Sequence, residues 1–362
     1  MENIVNKNIY RVKPYVPGKP IEEVKRELGL RSVVKLASNE NPFQPSPKVL
    51  KAISSAAKTL NRYPDGLCFY LRRELAKRLK VKPEQLIFGN GSDEIIVMAI
   101  RALIEQGDEV VVAKPSFLIY EIAAKLAGAN ISAVALKDFY YDLEGMRKAV
   151  TAKTKIIFVG NPDNPAGTYV NETQIVNFLE DLPENILVFI DEAYYEYVFA
   201  KDYPDTIKLL KRFKNVIVTR TFSKLYGLAG LRIGYGIAAP EVIDILSRVR
   251  EPFNVNSLAQ EAALACLQSK DYYKRIARLT EQQRKFLYGR LQAMKLSYKE
   301  SVTNFILIDV QKNGSAVVQK LMRKGVIVRD MSFWGLENFI RVTIGTQQEN
   351  KKFLTALKEV LG

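Results

Sequence analysis

Residues 155–167 read KIIFVGNPDNPAG, residues 186–194 read ILVFIDEAY and residues 216–224 read VIVTRTFSK. Each is a short apolar run that stops at a polar cluster. Such runs are too short for helices and too continuous for strands with one wet face, so they predict strands buried on both faces. Outward from them, QLIFGN (85–90), EVVVAKPS (109–116) and ISAVAL (131–136) have the same texture. Between them lie stretches of helical period, among them DEIIVMAIRALIE (93–105) and NETQIVNFLEDL (171–182). Strands alternating with helices predict an α/β fold with a doubly wound, mostly parallel sheet.

Before this block the chain is proline-rich, KPYVPGKPIEE (13–23) and NENPFQPSP (39–47), with a short helix expected over Ile21–Gly29. Helical spacing returns after Pro47 and again over Phe69–Lys80. After Pro252 come a helix in LAQEAALACLQS (258–269), a charged helical stretch to Met294, and the apolar runs NFILIDV, GVIVRD and FIRVTIG. That α+β texture predicts a large domain over 45–252 and a smaller one built from 1–44 and 253–362.

Composition narrows the chemistry. The 362 residues contain no histidine. That excludes Ser-His-Asp and Cys-His catalysis, histidine acid–base chemistry and most zinc or non-haem iron sites, so no metal is implied. Proton transfer must fall to Lys, Tyr, Asp, Glu or Cys. The two cysteines, Cys68 and Cys266, are too few for a disulfide framework or a thiolate cage. No apolar run is long enough to span a bilayer, and MENIVNKNIYRVKPY lacks a signal-peptide core, so neither membrane nor export is expected and the cytoplasm is. The net charge is +15, but the basic residues are scattered among acids, as in RRELAKRLK (72–80). This patterning predicts a solvated basic surface rather than a nucleic-acid footprint.

In an open parallel sheet, ligands sit beyond the carboxyl ends of the strands. The clusters Gly89–Asp93, Asn161–Gly167, Asp191–Tyr194 and Arg220–Lys224 therefore belong on one sheet edge. Gly91, Ser92 and Asp93 open a helix, which suits an anion, or else form an ordinary turn with Ser92 or Asp93 as the cap. Thr221, Ser223 and Arg232 add donors. Asp191 ends an apolar strand, where a carboxylate calls for a cation such as a protonated pyridine nitrogen. Asn164 and Tyr194 could bond a phenolate oxygen on the same ring. Lys224 alone reads as a surface lysine; among these groups it is a candidate Schiff-base nucleophile.

These residues resemble the fold-type I aminotransferases, and within them the histidinol-phosphate aminotransferase family. The likeness runs through PYVPGKP, LASNENPFQPSP, YPDG, GNGSDE, KPSF..Y, NPDNPAG, DEAY, FSKLYGLAGLRIGYG, NV.SLAQ.AA and the three C-terminal apolar runs. The resemblance implies pyridoxal 5'-phosphate held by Lys224, with Asp191 on the pyridinium nitrogen, Asn164 and Tyr194 on the 3-oxygen, and Phe117 on the ring face. Gly91, Ser92, Asp93, Thr221, Ser223 and Arg232 would surround the phosphate. Tyr63 would reach the phosphate of a second subunit, which implies a homodimer with shared sites. Arg341, with Arg329 and Tyr15, would receive the substrate's distal anion, and Asn39 would line the substrate side.

The implied reaction is histidinol phosphate plus 2-oxoglutarate to imidazole acetol phosphate plus glutamate, in histidine biosynthesis. NPDNPAG departs from the common pattern with Asp163 and Ala166 in place of Asn and Thr, which bears on substrate rather than on chemistry. An aromatic amino acid aminotransferase and a threonine-phosphate decarboxylase share most of these motifs. A DNA-binding regulator with an aminotransferase-like sensor would need a winged helix, for which the segment before residue 45 is short and proline-rich.

Overall fold

A computed structural model describes residues 4–14 and 18–362. Tyr15 lies outside the described residues. Among the described residues twelve strands form two sheets: β1 (Val34–Leu36), β2 (Leu86–Gly89), β3 (Glu109–Lys114), β4 (Asn130–Ala135), β5 (Thr154–Gly160), β6 (Leu187–Asp191), β7 (Val216–Thr221), β8 (Gly234–Ala238), β9 (Ser297–Tyr298), β10 (Phe305–Asp309), β11 (Val326–Asp330) and β12 (Phe339–Thr343).

The seven-stranded sheet has the order β2-β8-β7-β6-β5-β3-β4, parallel except for β8, which runs against both neighbours. Alternation along each strand sends side chains to two cores. Ile157, Val159, Val188, Ile190, Val216 and Val218 enter one; Ile156, Phe158, Leu187, Phe189 and Ile217 enter the other. Helices on both faces close these cores, as a doubly wound sheet requires. The central runs are buried on both faces, but β4 is the exposed edge, so its expected two-sided burial does not hold. β8 carries GYGIA, with two glycines and no continuous apolar run, and was not expected as a strand.

The five-stranded sheet, β1-β11-β12-β10-β9, joins the N-terminal segment to the C-terminal part through the parallel pair β1–β11. It has its own core, from Leu36 and Ile306 to Phe353 and Leu357. Two helices tie the sheets together. Ser257–Leu267 buries Ala259, Ala262, Ala263 and Cys266 in the core of the large sheet. Lys270–Ala293 buries Tyr273 and Ile276 there, then Leu287 and Leu291 in the small one. None of the helices among the described residues is long and apolar enough to cross a membrane.

Candidate active site

β2, β5, β6 and β7 point the same way, so their carboxyl ends share one edge, and β8 begins at that edge because it is reversed. Reversal explains Arg232: it precedes β8 and so returns to the same rim. Ser92, Asp93, Phe117, Asn164, Asp191, Tyr194, Thr221, Ser223, Lys224 and Arg232 all line one cavity there.

One end of the cavity is built for an anion. Gly91 is the N-cap of the helix Ser92–Leu103 and offers no capping side chain, so the first-turn N–H groups have no side-chain acceptor at the cap. Ser92 and Asp93 lie inside the first turn, which corrects the expectation that either is the cap. Gly91 has φ +84°, and a Cβ there would lie 2.4 Å from Arg232 Nη2. At Gly234 a Cβ would meet backbone, the Ser92 amide nitrogen, at 2.4 Å. Arg232 adopts φ +56° and approaches Ser223 Oγ and Asp93 Oδ2, each at 3.4 Å. Thr221 Oγ1 accepts the Ser223 N–H at 3.1 Å, which shapes the turn leading to Lys224.

The other end holds a buried carboxylate. Asp191 accepts hydrogen bonds from the Tyr120 hydroxyl (2.8 Å), the Ala193 N–H (3.1 Å) and Thr219 Oγ1 (3.4 Å). It has no ion pair among the described residues, and burial pushes it up to about 6 despite the Tyr120 bond. The site is one where a cation would be welcome. Lys224 lines the same cavity, with its Nζ 5.5 Å from the centroid of the Tyr194 ring. Phe117 sets its edge against Tyr120 at 5.5 Å between centroids.

The small sheet supplies the remaining wall. Asn39 is fully buried with φ +54°; its Nδ2 donates to the Tyr194 hydroxyl at 2.9 Å, its N–H donates to Thr343 Oγ1 at 2.9 Å, and its carbonyl accepts from Asn304 at 3.0 Å. Arg341 donates from Nη1 to Asn164 Oδ1. Arg329 sits opposite Arg341 in the β11–β12 ladder, with its guanidinium 5.1 Å over the Trp334 ring. Tyr63 does not join the cavity within one chain: it is 83% exposed and stacks on Phe253 at 4.8 Å.

Six lining residues had no role assigned from sequence, and three of them carry polar side chains: Tyr120, Tyr141 and Asp163. Tyr141 accepts the Gly160 N–H at 2.9 Å. Asp163 accepts the Ala166 N–H at 2.8 Å, and burial pushes it up to about 7. Tyr120 stands inside the quoted KPSF..Y motif, but nothing in that spacing points to a carboxylate 71 residues away.

The family model described as "Aminotransferase class I and II" matches residues 31–357. The chain belongs to the class I and II aminotransferases. Among curated relatives of this aminotransferase, the histidinol-phosphate aminotransferase of Moorella thermoacetica is 48% identical over 98% of this chain and 92% of its own length. That of Caldicellulosiruptor saccharolyticus is 47% identical over 98% and 99%. Among solved structures, the histidinol-phosphate aminotransferase of Sinorhizobium meliloti in complex with pyridoxal-5'-phosphate superposes with a TM-score of 0.90 at 30% identity, covering 99% of this chain and 97% of that one. Aspartate aminotransferase of Thermus thermophilus with maleate, at 22% identity and a TM-score of 0.86 over 98% and 99% of the two chains, shares the fold.

Proposed function

We propose that this aminotransferase uses pyridoxal 5'-phosphate to interconvert histidinol phosphate and 2-oxoglutarate with imidazole acetol phosphate and glutamate. The observation that carries the reading is the single cavity that Lys224 shares with an uncapped helix N-terminus, Arg232 and a buried Asp191 lacking a cation. The residues fit the cofactor. A phosphate suits the Gly91–Ser92 cradle, which a Cβ would fill, and a protonated ring nitrogen supplies the charge that Asp191 lacks.

When bound, pyridoxal phosphate supplies an electron sink for the pair left behind when a bond at the substrate's Cα breaks. The chain supplies the rest. Ser92, Asp93, Thr221, Ser223 and Arg232 would hold the phosphate, and Asp191 would keep the ring nitrogen protonated. Phe117 would pack on the ring face, while Asn164 and Tyr194 would orient the 3-oxygen. Lys224 would hold the cofactor at its aldehyde carbon and would move the proton at the substrate's Cα. Arg341, assisted by Arg329, receives the substrate's anionic end, and Asn39 fixes Tyr194 on the substrate side.

The assignment also includes a homodimer in which Tyr63 completes the neighbouring site, and a cytoplasmic location that suits metabolite substrates. Its two units are the 45–252 domain and the domain of 1–44 with 253–362. The helix Ser257–Leu267 belongs to the second by sequence and packs on the first.

The deciding measurement is kcat/KM for histidinol phosphate against phenylalanine and tyrosine, with 2-oxoglutarate as acceptor. A preference for histidinol phosphate is expected; a preference for the aromatic acids overturns the substrate assignment. The chemistry is tested separately. Borohydride should fix the cofactor's mass on the peptide containing Lys224, and Lys224→Ala should abolish that adduct.

A further inference from the structure

Behind the strand ends that carry Asn164, Asp191 and Lys224 lies a second polar cluster, which none of the roles above uses. Along β7, Thr219 and Thr221 face the side of the sheet that Asp191 occupies, and Thr219 bonds Asp191 directly. Arg220 follows Val216 and Val218 to the opposite side. There its Nε donates to Glu192 Oε2 at 2.8 Å, with side chains only 5% and 0% exposed. The Arg220 guanidinium also lies 3.4 Å over the centroid of the Tyr195 ring.

Glu192 Oε1 is reached by two hydroxyls, Tyr203 and Thr206, each at 3.0 Å. Tyr203 reaches further. Its one proton is shared between Glu192 Oε1 and the carbonyl oxygen of Asn161, so the hydroxyl stands between the end of β5 and the end of β6. The backbone ladder is running out at this point, with Asn161 N–H on Asp191 O at 2.9 Å and Glu192 N–H on Thr219 O at 2.8 Å. Side chains take over where backbone pairing stops.

The line Asn161–Tyr203–Glu192–Arg220 thus crosses three adjacent parallel strands at their carboxyl ends. Asn161 is three residues before Asn164, Glu192 follows Asp191, and Arg220 precedes Thr221 in the turn to Lys224. A buried ion pair is a poor source of net stability, since well-packed apolar side chains of similar size commonly do as well or better. What such a pair does supply, when every polar atom is partnered, is one geometry instead of several. Chemistry at the rim needs that geometry, because a misplacement of about 1 Å can cost on the order of a hundredfold in rate.

We propose that Tyr203, Glu192 and Arg220 form a positioning clamp that holds the ends of β5, β6 and β7 in one register, so that Asn164, Asp191 and the Thr221–Lys224 turn address the cofactor and substrate together. The clamp rests on the reading of the cavity given under the proposed function. All three are positioning residues: they act through the strand ends and touch neither cofactor nor substrate.

The test uses Tyr203→Phe and Glu192→Gln, with Thr206→Val as the control. Thr206 also bonds Glu192 but comes from the helix Thr206–Arg212 and joins the end of β6 to no second strand. Glu192→Gln keeps the shape of the side chain and leaves Arg220 facing a second carboxylate, Glu196, whose charge also acts on it. Four quantities are read on the cofactor-loaded protein: the pH midpoint of the cofactor's absorption band, its dissociation constant, the kcat and KM for glutamate, and Tm. Both clamp variants should move the spectral midpoint by about half a pH unit or more. They should lower kcat roughly tenfold with KM for glutamate little changed. Thr206→Val should leave midpoint and kcat at wild-type values whatever it does to Tm.

The clamp is overturned if Tyr203→Phe and Glu192→Gln change only Tm, or if Thr206→Val moves midpoint and kcat as far as they do. If Glu192→Gln does not fold, Tyr203→Phe, which removes one oxygen, decides alone. A wild-type protein that shows no cofactor band would instead sink the underlying reading of the cavity, and the clamp with it.

Discussion

Asp163 and Asp191 are two carboxyl groups that burial holds above the usual carboxylate range, at about 7 and about 6. Their sign in a pH experiment follows from linkage. For Asp163, the folded chain keeps a proton that the unfolded chain has already lost, from the ordinary carboxyl value of 3.8 up to about 7. The stability this proton represents is therefore present at low pH and lost as pH rises through about 7. Asp163→Asn removes the titration and keeps the shape. In cofactor-free protein, the Tm advantage of the variant over wild type should grow between roughly pH 4.5 and 7.5 and then level off. Thermal melts that give a constant difference over that range would show that Asp163 does not carry the proton. At Lys224 the expectation concerns rate: Lys224→Ala should lower turnover by about two to four orders of magnitude while the far-ultraviolet spectrum and Tm stay near wild type.

The elements matter most where backbone meets backbone. Gly234 begins β8 against the helix that starts at Ser92, and a Cβ at Gly234 would press on the Ser92 amide at 2.4 Å and the Gly91 carbonyl carbon at 2.9 Å. At Gly91 the obstacle is the end of the Arg232 side chain, which can swing away, but φ +84° still penalises any side chain. Gly234→Ala should therefore damage the site more than Gly91→Ala, weakening cofactor binding at least about tenfold and costing more than about 1 kcal/mol of stability. Gly230→Ala is the control. Its Cβ would meet nothing within 4 Å, so an effect within about 0.5 kcal/mol is expected. Titrating the three variants with cofactor and melting them checks the order; equal losses at Gly230 and Gly234 would refute the close-approach argument. At this scale the sequence was readable where apolar runs were long. β5, β6 and β7 are visible because both faces are buried, whereas GYGIA in β8 and the two-residue β9 have no such run.

At the scale of the whole molecule, the segment around the YPDG turn exposes large apolar side chains in a short stretch: Leu60 at 57%, Tyr63 at 83%, Leu67 at 61% and Tyr70 at 69%. A cluster of that kind marks an interaction surface. The proposed dimer covers it and brings Tyr63 to a neighbouring phosphate. Sedimentation should give a particle of two 41.0 kDa chains. Leu67→Asp should shift it toward one chain and make cofactor retention depend on protein concentration. A wild-type particle of one chain that retains cofactor would rule the shared site out.

The order of residues by itself determined six of the seven strands of the central sheet, the edge on which their polar ends collect, and the grouping of Lys224, Asp191, Asn164, Tyr194 and Arg232 on that edge. Those features are local: apolar runs, the polar residue that ends each run, and glycines at turns. Only the tertiary structure decided that Tyr120 holds Asp191, that Asn39 reaches Tyr194 from the small sheet, that Arg341 meets Asn164, and that Tyr203 links Asn161 to Glu192. Those contacts join residues from 11 to 177 positions apart. Their partners are chosen by strand order and by the reversal of β8, neither of which leaves a periodic mark along the chain.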